Sequence, residues 1–363
     1  MSKLLEYYEY LHAHPELSRQ EFRTAEFLMD TLAGMGYAPV RIGETGVYAD
    51  LITDPAAPWV MLRSDMDALP VAEETGVPYA SQNPGVMHAC GHDSHMAMLL
   101  AAAEELKKKS LPQNIRFLFQ PAEEGVTGAV EMVAAGAVPA NTAAVFGMHV
   151  WPGVQKGKVL VKAGPLMAST TTIQIQCHGL GAHCGKRELG KDALMTMAQI
   201  LVRSKEAEAL AEGDGSILFF GMLQSGTSHN IVASGAFMKG ALRTYYPETR
   251  EKVLTKLEEI AAQTAAEFGT EAEVTYSSFA PAVINPEGLA KQVQELLPNA
   301  VTEIEPTRIA EDFSRYQEVA PGVLMWLGVG DTPSLHNGKF LVPKEVLPMG
   351  VDAWVRLYQT EGE

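Results

Sequence analysis

The chain reads as an α/β protein: a doubly wound, mostly parallel sheet interrupted by an inserted ferredoxin-like α+β domain. Three observations predict this. Short apolar strand segments alternate with amphipathic helices over residues 1–166. After Gly164-Pro165 the order becomes β-α-β-β-α-β, the ferredoxin-like arrangement. From Pro286 the α/β alternation resumes. The expected domains are therefore 1–166 together with 281–363, and 167–280 as an insertion of ordinary domain size.

The first helices follow from periodicity. Leu4, Leu5, Tyr8 and Leu11 share one face, and Phe22, Ala25, Leu28, Met29 and Leu32 share another. His14-Pro15-Glu16-Leu17-Ser18 breaks the two, with Ser18 as the expected N-cap of the second. Residues 47–52 and 59–62 read as strands, the latter running into Arg63-Ser64-Asp65-Met66-Asp67. A helix is expected over 96–106, a strand over 115–119, and a strand over 143–148 that ends at His149. In the insertion, 170–177 alternates as a half-buried strand and 191–209 reads as a helix. Strands over 217–223 and 236–243, an amphipathic helix over 248–268 and a strand over 272–277 complete it. The closing part predicts a helix over 287–297, a strand over 323–329 and a helix over 343–358.

Of 363 residues, 47% are apolar and 20% charged, which suits a folded globular chain of two domains. The net charge of −16 argues against nucleic acid or an anionic membrane as partner, because phosphate recognition wants a basic face. The longest apolar stretch, 96–103, is too short to span a bilayer. Cys90, Cys177 and Cys184 do not make a disulfide framework. Residues 1–9 are charged and lack an apolar signal core, so a cytoplasmic location is expected.

Three polar clusters fall just past expected strand ends: Asp65 with Asp67, Glu123 with Glu124, and His149. Ligands bind at such ends in open α/β sheets. The densest chemistry lies in Met87-His88-Ala89-Cys90-Gly91-His92-Asp93-Ser94-His95, where three imidazoles, a thiol and a carboxylate are the side chains that take transition metals. Cys90 and His92 are two apart, so in an extended segment they face one side and can share a metal. Each cluster alone has a plainer reading. The Cys and histidines can sit in a polar loop, Glu123-Glu124 can be a solvated helix N-terminus, and Asp67 can be an N-cap. A two-metal hydrolytic site draws its ligands from several segments and adds a carboxylate as base. Spacing alone does not assemble those segments.

Six motifs occur in order. They are His12-Ala13-His14-Pro15-Glu16-Leu17-Ser18 with Glu21, Arg63-Ser64-Asp65-Met66-Asp67-Ala68-Leu69-Pro70, Met87-His88-Ala89-Cys90-Gly91-His92-Asp93, Gln120-Pro121-Ala122-Glu123-Glu124-Gly125, Gly147-Met148-His149 and Leu335-His336-Asn337. Together they resemble the M20 family of metallopeptidases. Within it they are similar to subfamily D, the amidohydrolase branch of hippurate hydrolases, N-acetyl-diaminopimelate deacetylases and auxin-conjugate hydrolases. The resemblance runs over nearly the whole chain. It implies a dinuclear centre of two divalent ions, zinc or manganese with cobalt or nickel as further options. Cys90, His92, Glu124, His149 and His336 would be the ligands, with Cys90 a thiolate able to bridge. Glu123 would be the general base, and Asp67 would accept a hydrogen bond from a ligand histidine and fix its tautomer. Asp65 and Asp93 stand behind these, His88 and His95 flank the ligands, and His12, His14 and His178 read as structural.

The resemblance also implies that the insertion is a lid and the contact of a homodimer. His183, in Gly179-Leu180-Gly181-Ala182-His183, would stabilise the oxyanion. Asn230 and Arg243 would hold the substrate's α-carboxylate, which a guanidinium grips with two parallel hydrogen bonds. The branch continues after its lid histidine with Gly and a Pro-His pair, whereas this chain has Cys184-Gly185-Lys186-Arg187-Glu188. That departure bears on leaving-group specificity and leaves the metal ligands untouched. Cys184 reads either as a redox-sensitive thiol or as a small buried residue, and the second is the expectation. The expected activity is metal-dependent hydrolysis of N-acyl-L-amino acids, small molecules. The alternatives are a non-catalytic metal- or amino-acid-binding protein on the same fold, or a dipeptidase. A structural zinc protein does not fit, because the candidate ligands are scattered and include a carboxylate.

Overall fold

The computed structural model describes residues 2–125 and 128–358. In chain order the first part holds α1 (Ser2–Ala13), α2 (Phe22–Gly34), β1 (Val40–Ile42), β2 (Gly46–Leu51), β3 (Trp59–Asp65), α3 (His92–Leu106), β4 (Asn114–Gln120), α4 (Gly128–Ala134), β5 (Thr142–Pro152), β6 (Val159–Leu160) and β7 (Gly164–Met167). Next come β8 (Ser169–His178), α5 (Ala193–Glu208), β9 (Ile217–Ser225), β10 (Gly235–Thr244), α6 (Pro247–Phe268) and β11 (Glu271–Ala280). The chain closes with β12 (Val283–Asn285), α7 (Glu287–Leu296), β13 (Ala300–Val301), α8 (Ser314–Gln317), β14 (Gly322–Gly330) and α9 (Leu347–Arg356).

The chain forms two compact units: residues 1–166, 284–305 and 312–363, and residues 167–283 with 306–311. The first contains an eight-stranded sheet in the order β1-β2-β4-β3-β5-β14-β6-β13. Its centre is parallel, with β3 between β4 and β5 and β14 beside β5. The central strands are buried along almost their whole length, as parallel strands between two helical layers must be. Leu99, Phe117, Val150 and Leu327 belong to the core around them.

The second unit is a four-stranded sheet in the order β11-β8-β10-β9, with antiparallel ladders throughout. The inward residues Ile173, Ile175 and Cys177 of β8 pack with Met197 and Ile200 of α5 and Leu257 and Ile260 of α6. This is the ferredoxin-like order that the sequence pattern predicts. The segment 306–311, expected with the first domain, packs with the second unit. Ala168 N–H donates to the carbonyls of Thr307 (3.0 Å) and Ile309 (3.1 Å), and these main-chain bonds hold that strap beside the start of β8.

Four local expectations change. α2 begins after Glu21 rather than Ser18. α3 begins at His92, a full turn before residue 96. β5 continues to Pro152, so His149 lies inside the strand instead of beyond its end. Cys90 and His92 do not lie in an extended segment: Gly91 between them takes φ +88°, a left-handed conformation that glycine tolerates. That turn lets His92 open a helix while Cys90 stays behind it.

Candidate metal centre and active site

The site is built at the C-terminal ends of β3 and β4, beside the middle of β5 and at the start of α3. The loop after β14 adds His336, whose main-chain N–H donates to Ala89 O at 2.8 Å. His336 has φ +65°, so the main chain here is held in a conformation that non-glycine residues avoid.

Cys90, His92, Glu124, His149 and His336 converge. Cys90, Glu124 and His336 present donor atoms within 4.8 Å of one another, and so do His92, Glu123 and Glu124. Cys90 Sγ lies 3.4 Å from His149 Nε2, and Glu124 Oε1 lies 3.3 Å from His336 Nε2. His92 Nε2 is 3.9 Å from Glu123 Oε2.

The imidazoles are aimed by what their other nitrogens do. His92 Nδ1–H donates to the main-chain oxygen of Asp67 at 2.8 Å, and His149 Nδ1–H donates to Val150 O at 2.7 Å. Both therefore turn Nε2 inward, and that nitrogen offers a metal its lone pair once it carries no proton. His92 Nε2 is buried without a hydrogen-bond partner, an orphan that a cation would satisfy. His95 sits close by and could be counted with Asp65, His92 and His149 as a cation-holding group. Its Nδ1 bonds Asp65 Oδ1 at 2.6 Å and its Nε2 accepts the Val150 N–H at 2.9 Å, so it has no lone pair to give.

Asp67 does more than the sequence suggests. The hydrogen bond from His92 runs to its main-chain oxygen, with the carboxylate Oδ1 at 3.4 Å. The carboxylate itself accepts the N–H groups of Glu123 and Glu124, each at 3.1 Å, and the Ser18 hydroxyl at 2.6 Å. Ser18, expected to cap a helix, instead braces the site.

The field here is negative. Burial alone would push His92 down, but Asp65 and Asp67 outweigh it and hold the imidazolium up to about 10. A field that holds a proton there also favours a metal cation. Burial, with Glu124 and Glu123 nearby, pushes the Cys90 thiol well up, so a thiolate needs a cation beside it. Behind the site, Arg63 donates to Asp65 at 2.9 Å, to Asp312 at 3.0 Å and to Gln120 at 2.8 Å, all buried. Asp312 is a site-bracing residue that sequence reading missed, because nothing local ties it to a residue 249 positions away.

In the second unit, His183 and Asn230 lie together. His183 pairs with Ile231, and Cys184 N–H donates to Asn230 O at 3.0 Å. Gly185 N–H donates to His183 Nδ1 at 3.1 Å, which leaves Nε2 as the protonated nitrogen. Asn230 Oδ1 accepts the Ser228 hydroxyl at 2.8 Å, so its amide N–H groups remain as donors. Arg243 sits at the opposite end of the sheet: the ladder pairs Arg243 with Thr170 but Gly235 with His178. Cys184 is exposed, contrary to expectation, because it opens a short surface turn.

Known proteins resemble this chain in both sequence and fold. The chain is 34% identical over 350 residues to an N-acetyl-L-cysteine deacetylase of Bacillus subtilis, covering 93% of this chain and 83% of that protein. It is 33% identical over 359 residues to an N-acetyldiaminopimelate deacetylase of Streptococcus suis, covering 94% of each. Its fold matches the Bacillus subtilis YXEP protein, described as a dinuclear metal binding peptidase from the M20 family, with TM-score 0.88, 31% identity and coverage of 98% and 97%. Residues 61–360 match the family described as Peptidase family M20/M25/M40. The reading as a non-catalytic binding protein falls away: the chain belongs to the M20 peptidase family and is a hydrolytic enzyme.

Proposed function

We propose that this enzyme is a metal-dependent amidohydrolase that removes the acyl group from N-acyl-L-amino acids. The observation that carries the reading is the linked set of Cys90, His92, Glu124, His149 and His336, in which Glu124 meets Cys90 and His336 on one side and His92 with Glu123 on the other, and His92 Nε2 is left orphaned. The deacetylases it resembles support the substrate class.

Those five residues would hold two divalent ions; the thiolate and imidazoles favour zinc, cobalt or nickel, and the family resemblance adds manganese. When bound, such ions polarise the scissile carbonyl and acidify water. Glu123 takes a proton from the attacking water and delivers it to the leaving nitrogen. His183 donates its Nε2–H to the carbonyl oxygen as charge develops there. Arg243, half-buried, grips the substrate carboxylate, and Asn230, which lies with His183 at the other end of the sheet, assists from the other subunit.

A second copy of the chain belongs to this reading. Between the Arg243 and Gly235 ends of β10 the strand runs roughly 26 Å, at about 3.3 Å per residue, and His183 lies beyond the far end. One small substrate cannot reach both in a single chain, so one of the two comes from a partner. Exposed apolar residues on edge strand β9 (Phe219, Met222, Leu223) and on α5 (Leu201, Val202) offer the surface.

The test is hydrolysis of N-acetyl and N-benzoyl amino acids with and without added Zn²⁺ or Mn²⁺. Glu123→Gln should lower kcat by about 10³-fold or more while metal content stays the same. Full activity of that variant, or of metal-free enzyme, refutes the mechanism.

A further inference from the structure

We propose that Glu21 is a positioning residue for the reacting carboxylate: it fixes the main chain at Ala122 so that Glu123 and Glu124 diverge into separate tasks. This rests on the role of Glu123 proposed above.

Glu21 is fully buried just ahead of α2, yet its side chain does not cap that helix. Its Oε1 accepts the Ala122 N–H at 2.9 Å and its Oε2 accepts the Thr45 hydroxyl at 2.8 Å. Ala122 stands at φ +52°, a left-handed conformation disfavoured for any residue with a Cβ. Such a conformation persists where the surroundings over-determine it, and it clusters at functional sites. Here the surroundings are two carboxylates. Glu21 takes the N–H of Ala122, and Asp67 takes those of Glu123 and Glu124. Three successive N–H groups thus turn towards buried anions, and the curled main chain faces the two glutamate side chains differently. Gly128 N–H closes the loop onto Ala122 O at 3.1 Å. A Cβ at Gly128 would meet Pro121 O at 1.7 Å, so the loop closes only with glycine there.

A purely structural Glu21 and a positioning Glu21 differ in what they do to turnover. The experiment uses purified, metal-loaded enzyme and an N-acetyl amino acid substrate. Glu21→Ala should lower kcat per metal-loaded site by about 10²-fold, the scale of a misplaced reacting group, with KM within about threefold and unchanged metal stoichiometry. Glu21→Gln keeps an acceptor oxygen for the Ala122 N–H and should recover kcat to within about fivefold of wild type. A wild-type kcat in Glu21→Ala overturns the proposal, as does a loss confined to metal content. Should Glu21→Ala not fold, Thr45→Val loosens Oε2 alone and should lower kcat several-fold; an unchanged kcat there is equally fatal. Glu123→Gln is assayed alongside. If it is fully active, both readings fall; if it is inactive while Glu21→Ala turns over normally, only the positioning role falls.

Discussion

Which histidine can hold a metal is settled by its second nitrogen. His92 and His95 are three apart at the start of one helix, and both are buried. His92 hands its Nδ1–H to a main-chain oxygen and keeps Nε2 open; His95 is bonded at both nitrogens. The motif Met87 to His95 made the metal chemistry legible in sequence, but this division of labour depends on Val150 and Asp65, which lie far away in the chain. The same holds for Arg63, whose buried carboxylate partners include Asp65 two residues on and Asp312 far along the chain. Removing one member of a buried ion cluster leaves the others uncompensated. Arg63→Met is expected to cost about 3–5 kcal/mol in urea denaturation, and a loss under about 1 kcal/mol would refute that account.

Elements are tied to the site by a second buried cluster. His12, at the end of α1, bonds Asp93 in the first turn of α3 at 2.6 Å and Glu73 in the loop between β3 and α3 at 3.1 Å. The rings of Tyr8 and Tyr79 cover it. Burial would lower His12, but the two carboxylates outweigh it and raise it from 6.5 to about 9. Burial would raise Glu73, but His12, Thr75 and Ser81 outweigh it and lower it from 4.5 to about 2. A raised histidine contributes stability that is full below 6.5 and lost as pH climbs through 9; a lowered glutamate contributes stability that is full above 4.5 and lost as pH falls towards 2. The pair thus stabilises most between pH 4.5 and 6.5. Denaturation midpoints should fall between pH 6.5 and 9 in wild type, and His12→Gln should flatten that slope. An unchanged slope in His12→Gln would remove the cluster from the account. The sequence reading of His12 as structural fits this tie between α1 and α3.

At the scale of the whole molecule, the separation of His183 from Arg243 turns the proposed dimer into a measurable requirement. His183→Ala and Glu123→Gln should each be inactive alone. Mixed and allowed to exchange subunits, they should regain about a quarter of wild-type activity if His183 serves the partner's site, because half of the dimers are mixed and each has one intact site. No recovery after verified exchange would place His183 in its own chain's site or outside catalysis. The sequence by itself determined the two-unit architecture, the family and the residue types of the candidate metal centre. Hydrophobic period and short ligand motifs are local, and local patterns survive in one dimension. Tertiary structure alone decided how those residues are aimed. It left His92 an open nitrogen, turned His149 Nε2 to the Cys90 sulfur and closed both nitrogens of His95. It moved Ser18 from a helix cap to Asp67 and drew Asp312 to Arg63 across the chain. It also bent Ala122 under Glu21. Hydrogen-bond geometry between buried groups depends on positions in space, and no spacing along the chain records it.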